Sequence, residues 1–490
     1  MPFTVAPRAF TYDDVLLIPQ KSRIRSRQQV HFHSQLSKNI PLQTPFVSSN
    51  VDTVTESAMA IAMAKMGGIG IIHRFMSVER QAKEVSKVKR SEGFVMGNPL
   101  TLTPKHTLAE AREAMRQEKV TSFIVIDEFN KVLGLVSQRD TWFQSDPTVK
   151  VSKLMTPVDK LITAPISISQ TQARELFKKH KVEKLPLLDK DGTLAGLITS
   201  RTILNLERFP RATKDDKGRL RVGASVGVIG DYLERAQALV KIGVDAMVVD
   251  IAHVHSNHGL EAIKVLRKKF PNIDLIGGNI ATAEAAKDLI RLGCDALKIG
   301  IGPGGICITR VVAGAGVPQL TAVMECAKVA QKAKVPVIAD GGTNYPGDMT
   351  KALAAGASTV MLTGWLAGTD ESPGTIILRN GRKHKVHRGA ASFSAVAARK
   401  ISGVDGQVRK ELSEEALNEE LENVVAEGVE TFVPYKGAAK DVIYQLTGAL
   451  RSGMSYSNAT TIAELWKNAR FIEITSAGFR ESKAHNVEQV

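Results

Sequence analysis

The sequence predicts an α/β protein, a parallel (β/α)8 barrel interrupted by an internally repeated second module. Three observations carry that prediction. Short β-rich runs alternate with helical patterns along most of the chain. Three of the helical patterns end on one device, Ile-Gly243-Val-Asp-Ala, Leu-Gly293-Cys-Asp-Ala and Ala-Gly356-Ala-Ser-Thr. Each puts Gly where a left-handed C-cap belongs and opens a buried strand directly after it. Finally, Gly134-Leu-Val-Ser-Gln-Arg-Asp140 returns as Gly196-Leu-Ile-Thr-Ser-Arg-Thr202, an offset of 62 residues (196 minus 134).

Taken in order, the first two strands are expected at Phe46–Asp52 and Gly67–His73, joined by the helical run Glu56–Met66. Six more follow at Val222–Val228, Ala246–Ala252, Leu275–Ile280, Ala296–Gly302, Pro336–Gly342 and Thr359–Trp365. Eight is the count that closes such a barrel, whose chemistry sits at the C-terminal ends of its strands. Asp250 then closes the fourth strand, Asn279 the fifth and Asp340-Gly-Gly342 the seventh, while Cys307 follows the sixth. An open doubly wound sheet is the competing architecture, but no G-x-G-x-x-G follows the first strand. Each half of the repeated insertion carries an amphipathic helix (Thr107–Lys119, Thr171–Lys181) and a strand (Ser122–Ile126, Lys184–Leu188). The expected organisation is barrel over 1–94, a module pair over 95–210 (97–145 and 154–207), and barrel again over 211–490.

Composition narrows the function classes. At 490 residues the chain holds a barrel plus an insertion, and no apolar run reaches the ~20 residues of a membrane span. Met1–Phe10 lacks an apolar signal core and Asn486–Val490 matches no targeting tripeptide, so a cytoplasmic protein is expected. Three cysteines without metal-type spacing, Cys294, Cys307 and Cys326, fit a reducing compartment. Cys294 and Cys326 fall on helical segments as packing thiols. His253, His255 and His258 are spaced poorly for one helical face and are expected as loop or cofactor-contact residues. The net charge of +15 comes from basic pairs and triplets without interleaved aromatics, the pattern of a solvated surface.

The most informative stretch is Lys298-Ile-Gly-Ile-Gly-Pro-Gly-Gly-Ile-Cys-Ile-Thr-Arg310. Gly300, Gly302, Gly304 and Gly305 let the backbone turn tightly and expose its amides. Cys307 is then offered at the mouth of a loop with the Thr309 hydroxyl beside it, as a nucleophile is presented. On these residues alone, a tight turn around a small buried thiol is equally open.

With the opening Phe10-Thr-Tyr-Asp-Asp-Val-Leu-Leu-Ile-Pro19, Val51-Asp-Thr-Val-Thr-Glu56, Gly277-Gly-Asn-Ile-Ala-Thr282 and Glu427-Gly-Val-Glu-Thr-Phe-Val-Pro-Tyr-Lys-Gly437, this loop resembles the IMP dehydrogenase/GMP reductase family over nearly the whole chain. The repeated insertion resembles a CBS-domain (Bateman) pair, in which the hydrophobic-Ser/Thr-x-Arg-Asp segment touches adenine or guanine nucleotides. Asp140 matches that pattern and Thr202 departs from it, so a regulatory nucleotide site and a spacer for oligomer contacts both remain open.

The family resemblance implies a covalent bond between Cys307 and C2 of a purine mononucleotide, with Thr309 and Glu427 handling the proton. It implies substrate contacts from Ser49, Gly305, Asp340, Gly341, Gly342, Gly364, Arg388 and Gly389. Asp250, Ala252, Asn279, Gly300 and Gly302 would face the cofactor and base. Carbonyls of Gly302, Gly304 and Cys307 match the family's K+ loop, and a homotetramer or octamer is implied. The family's dehydrogenases hydrolyse their intermediate with an Asp-Arg-Tyr-Phe stretch on a flap. Here the flap spans 389–426, its best-aligned stretch reads Asp405-Gly-Gln-Val408, Arg409-Lys410 lies off register, and no Arg-Tyr pair occurs in it. A GMP reductase needs no such base, since ammonia leaves and NADPH delivers hydride; Asn50 also fits that pattern. The resemblance therefore favours an NADPH-dependent GMP reductase of purine salvage, with an NAD-dependent IMP dehydrogenase as the alternative. Gly305, Val51, Val254, Trp365, His387 and Ala390 depart from the family pattern, and His387 and Arg388 are expected to supply charge to the altered phosphate region.

Overall fold

The computed structural model describes residues 8–91, 94–97, 99–402 and 422–484. The chain forms two compact units, one of Met1–Lys89, Arg211–Thr213 and Leu220–Val490, the other of Arg90–Pro210 and Lys214–Arg219.

In the first unit eight parallel strands close a barrel: β1 (Phe46–Ser48), β2 (Ile69–Ile72), β3 (Gly223–Val226), β4 (Ala246–Asp250), β5 (Asp274–Ile280), β6 (Ala296–Ile299), β7 (Val337–Asp340) and β8 (Thr359–Leu362). They pair in sequence from β3 to β8, then with β1 and β2, and β2 pairs back with β3. β1, β2, β3, β6 and β8 are buried along their whole length, as both faces of a parallel barrel strand must be. Val47, Ile69, Ile71, Val248, Ile276, Ile338 and Met361 fill the interior. Leu36, Ile40 and Leu42 join them from an antiparallel hairpin, Ser34–Ser37 with Ile40–Leu42. Asn39 donates to the Asp274 carboxylate at the start of β5, so the hairpin plugs the N-terminal mouth. The opposite mouth is left for chemistry.

Most expected strands are shorter than the sequence pattern suggested. β1, β6 and β8 each end three or more residues early, because their glycine- and polar-rich ends leave the barrel as loops. The C-caps hold: Gly243, Gly293 and Gly356 have φ of 86°, 87° and 109°. Gly293 also corrects one placement. It ends the helix Ala283–Arg291, so Cys294 lies in the turn before β6 and is buried there, whereas Cys326 is on the helix Gln319–Lys332. Burial pushes both thiols up to about 12.

The second unit repeats itself in detail. Its helices Leu108–Glu118 and Gln170–His180 open on capping boxes, Thr107 with Glu110 and Ser169 with Gln172. They close on left-handed lysines, Lys119 at φ 52° and Lys181 at φ 53°. The hairpins Ser122–Ile126/Val132–Ser137 and Lys184–Leu188/Leu194–Thr199 both shift register at the same point, Val125/Ile126 and Leu187/Leu188. Asp140 caps its own helix by accepting from Ser137 N–H at 2.7 Å, and Thr202 takes the equivalent place against Thr199.

Candidate active site

Loops at the C-terminal ends of the barrel strands enclose a cavity of about 860 Å³. Strand β6 enters its glycine loop through Gly300, at φ 145°, where a Cβ would overlap the carbonyl oxygen of Asp340. Arg310 braces the loop: its Nε donates to Ile301 O at 3.0 Å and Nη2 to Val317 O, with burial lowering the pKa of its guanidinium against a smaller opposing pull from Cys307. Cys307 is half-buried, its Sγ 3.2 Å from Thr309 Oγ1 and its N–H bonded to Gly304 O at 3.0 Å. It is therefore displayed, not packed away like Cys294 and Cys326.

A three-stranded antiparallel sheet, β9 (Ile377–Arg379), β10 (Arg382–Arg388) and β11 (Glu430–Pro434), carries Glu427 to this loop. Ile308 N–H donates to Glu427 O at 2.8 Å, Val429 N–H to Ile306 O at 3.0 Å, and Glu427 N–H to Ala391 O at 3.0 Å. These bonds hold a carboxylate, a hydroxyl and a thiol along one wall, the set needed for nucleophilic attack with proton transfer.

A second group of lining residues is ionic. Lys298 reaches out of β6 to Asp250 Oδ1 at 2.6 Å and Asp340 Oδ2 at 3.0 Å, and also bonds Asn279. Asn279 donates to Asp340 Oδ2 at 2.9 Å and to Gly300 O at 2.6 Å, and Asn50 donates to Asp250 Oδ2 at 2.7 Å. Burial works to raise the pKa of Asp250, but Lys298 and more distant Arg74 hold it below the usual carboxylate range.

Of the candidates from the sequence, the cavity brings together Ser49, Asp250, Ala252, Asn279, Gly300, Gly302, Gly304, Gly305, Cys307, Thr309, Asp340, Gly341, Gly342, Gly364, Gly389 and Glu427. An added Cβ at Gly305 or Gly364 would meet nothing within 4 Å, so a ligand can approach the bare backbone there. Arg388 does not line the cavity. Its Nε and Nη2 bond Asp52 Oδ2 at 2.9 and 2.5 Å, which ties its charge up. His387 lines it but carries no charge at neutral pH, since burial, and then nearby Lys436, push it down to about 4 against Asp52. A further lysine, Lys436, lines the cavity nearby, its Nζ 2.5 Å from Gly364 O and 3.3 Å from Trp365 O, with burial lowering its pKa.

Lys298, Lys436, Arg74 and Arg399 also line the cavity without having been singled out. Lys298 left a signal, a charge inside the otherwise apolar strand Ala296-Leu-Lys-Ile299; the others lie in loops or a helix with no local pattern. Arg399, from the helix Phe393–Ser402, sits 4.6 Å above the centre of the Phe75 ring and donates to Ala390 O at 2.6 Å. Asp405-Gly-Gln-Val408 and Arg409-Lys410 lie outside the described residues. His255 pairs with Asp288 at 2.9 Å, edge-on to His253.

The model of the IMP dehydrogenase/GMP reductase domain matches residues 9–485. The chain is 48% identical to the inosine-5'-monophosphate dehydrogenase of Nitrosopumilus maritimus, over 97% of this chain and 98% of that one. It is 46% identical to the GMP reductase of Leishmania donovani, over 99% and 98%. Among solved structures, a cysteine-to-alanine variant of GMP reductase from Trypanosoma brucei in complex with guanosine 5'-monophosphate superposes with a TM-score of 0.90. That protein is 43% identical, with 99% of each chain covered.

Proposed function

Because this chain belongs to the IMP dehydrogenase/GMP reductase family, oxidoreductases of purine nucleotides that use an NAD(P) cofactor, we propose that it works as a GMP reductase, converting GMP to IMP and ammonia at the expense of NADPH. The observation that carries this reading is the flap: residues 389–426 hold no Arg-Tyr pair to activate water. One general base is typically worth about 10²–10⁴-fold, so hydrolysis of a covalent intermediate should be slow, and a reductase has no such step. The likeness to a GMP-bound reductase over the whole chain supports it.

On this reading the Cys307 thiolate bonds C2 of the purine, and the exocyclic amine leaves as ammonia. Glu427, with the Thr309 hydroxyl as intermediary, protonates the departing amine. Asp340 accepts from the ribose hydroxyls. Amides of Gly341, Gly342 and Gly364, with Ser49, Gly305 and Gly389 beside them, receive the phosphate, and the Lys436 ammonium neutralises it. Asp250, Ala252, Asn279, Gly300 and Gly302 bound the remaining volume, at the large end of the range for ligand pockets and wide enough for a second ligand. When bound, the nicotinamide cofactor supplies the hydride that replaces sulfur at C2. K+ would rest on the carbonyls of Gly302, Gly304 and Cys307, steadying the loop. Residues 95–210 would act as a CBS pair taking adenine or guanine nucleotides, in a cytoplasmic homotetramer or octamer.

A second reading, NAD-dependent oxidation of IMP, is favoured by Arg399 reaching the cavity from the flap helix. Purified protein given GMP with NADPH, and separately IMP with NAD, decides between them. GMP-dependent NADPH oxidation that vanishes in Cys307→Ala is expected; conversion of IMP to XMP without it would sink the reductase reading, and Arg399→Gln would then be the variant to lose turnover.

A further inference from the structure

Strand β6 carries a lysine where every neighbour is apolar, and the barrel is arranged around it. The Lys298 side chain is 3% exposed. A Cβ at Gly278 of β5 would lie 2.5 Å from Lys298 Cβ, so the two strands approach closely there and Gly278 must stay bare. An ammonium this deep needs partners, and both of its ion-pair partners are carboxylates at strand ends facing the cavity. Asp250 ends β4 and Asp340 ends β7, so a single cation on β6 holds together carboxylates from two separate strands. Asn50 and Asn279 fill other acceptor sites of the two carboxylates, and Arg74 is the further cation that acts on Asp250.

We propose that Lys298 is a positioning residue that holds the Asp250 and Asp340 carboxylates aimed into the cavity, so that ligand recognition by both depends on one buried ammonium. This rests on the reading above, in which Asp340 takes the ribose of the purine nucleotide and Asp250 faces the cofactor. Without the ammonium, two carboxylates share a buried site, and Asp340 keeps the Asn279 donor but loses the cation that pairs with it. Two like charges this close disfavour double ionisation, so proton uptake by one of them is favoured as pH falls. A protonated carboxyl offers a poorer acceptor to a ribose diol, so the nucleotide is bound weakly at low pH and recovers as pH rises.

The test measures GMP binding by calorimetry from pH 6 to 9 in Lys298→Met and Lys298→Gln, as the ratio of variant to wild-type Kd, which cancels titration of the nucleotide phosphate. The ratio is expected to be about tenfold to a hundredfold at pH 6, the worth of a charged hydrogen bond, and to fall as pH rises. Gln keeps a donor and loses the charge, so it should behave as Met does. A Gln variant that binds like wild type, or a ratio flat with pH in both variants, overturns the proposal and leaves Lys298 a packing residue. Should the single variants fail to fold, Asp250→Asn/Lys298→Met removes the repulsion and keeps the local charge; Asp340 still lacks its cation there, so weaker GMP binding with a shallower pH dependence is expected, and wild-type affinity at every pH overturns the proposal.

A ligand-free readout separates this inference from the functional reading. A carboxyl whose folded-state pKa is raised binds its proton in the folded state first, so the variants should lose stability relative to wild type as pH rises from 6 to 9. A flat stability difference overturns the proposal whatever the ligand proves to be. Wild-type protein that binds neither GMP nor IMP sinks the nucleotide reading, while the stability slope still decides the role of Lys298.

Discussion

His387 shows how burial, not residue type, decides what a side chain brings to the site. Its Nδ1 shares a hydrogen bond with Thr53 Oγ1 at 2.9 Å, and burial holds the ring neutral, with a pKa down to about 4 from 6.5. Between those values the unfolded chain binds a proton that the folded protein refuses. The stabilising contribution is whole above pH 6.5 and is lost as pH falls toward 4, on the order of 3 kcal/mol. Urea unfolding at pH 7 and pH 4.5 should therefore show a smaller acid loss in His387→Gln than in wild type; equal losses would mean that the imidazole is solvated. The same contrast explains what could be read from the sequence at this scale. Cys307, Thr309 and the glycines announce themselves because backbone freedom and a displayed nucleophile are local properties. Arg388 could not be placed, since its partner Asp52 lies 336 positions away and takes the charge meant for a phosphate. The positive charge of Lys436 was equally hidden, because only the fold brings it to the Gly364 carbonyl.

Among the elements, the β9–β11 sheet does most to complete the site, because Glu427 has no place without it. Its chain pins 427–429 against 306–308 through backbone bonds, and Arg388 at the end of β10 anchors it to the loop after β1. Asp52 Oδ1 is already buried without a hydrogen bond, so removing the guanidinium strands the whole carboxylate. Arg388→Met should cost about 1–3 kcal/mol of local stability. Amides of β10 and β11 should then exchange faster with solvent, and kcat should fall more than KM rises, since Glu427 is displaced while Gly341, Gly342 and Gly364 stay on the barrel loops. Unchanged exchange there would mean that the backbone ladder alone holds the sheet. The barrel strands were legible from their apolar runs and the C-cap glycines that precede them, both of which are short-range signals. This sheet was not, because Arg382–Arg388 reads as a charged surface run, and its pairing with Glu430–Pro434 spans more than forty residues of chain.

At the scale of the whole molecule, two units with separate hydrophobic cores share one chain, the barrel around its inner and outer clusters and the repeat around three smaller ones. Separate cores imply separate unfolding transitions, so ligands that bind different units should move different transitions. A ligand stabilises the unit it binds by RT ln(1 + [L]/Kd), about 2.7 kcal/mol at a hundredfold excess over Kd, and leaves the other untouched except through coupling. The repeated unit presents Asp140 in one copy and Thr202 in the other at matching positions. Only the first copy thus keeps the carboxylate of the pattern that touches nucleotides, and the second has a neutral hydroxyl in its place. Calorimetric scans of the full chain with GMP, ATP or GTP should show GMP raising the barrel transition and ATP or GTP raising the other. Asp140→Asn should weaken the second effect without touching the first. If all three nucleotides move one transition only, the repeat is a spacer that serves assembly, and regulation of the barrel has to be sought elsewhere.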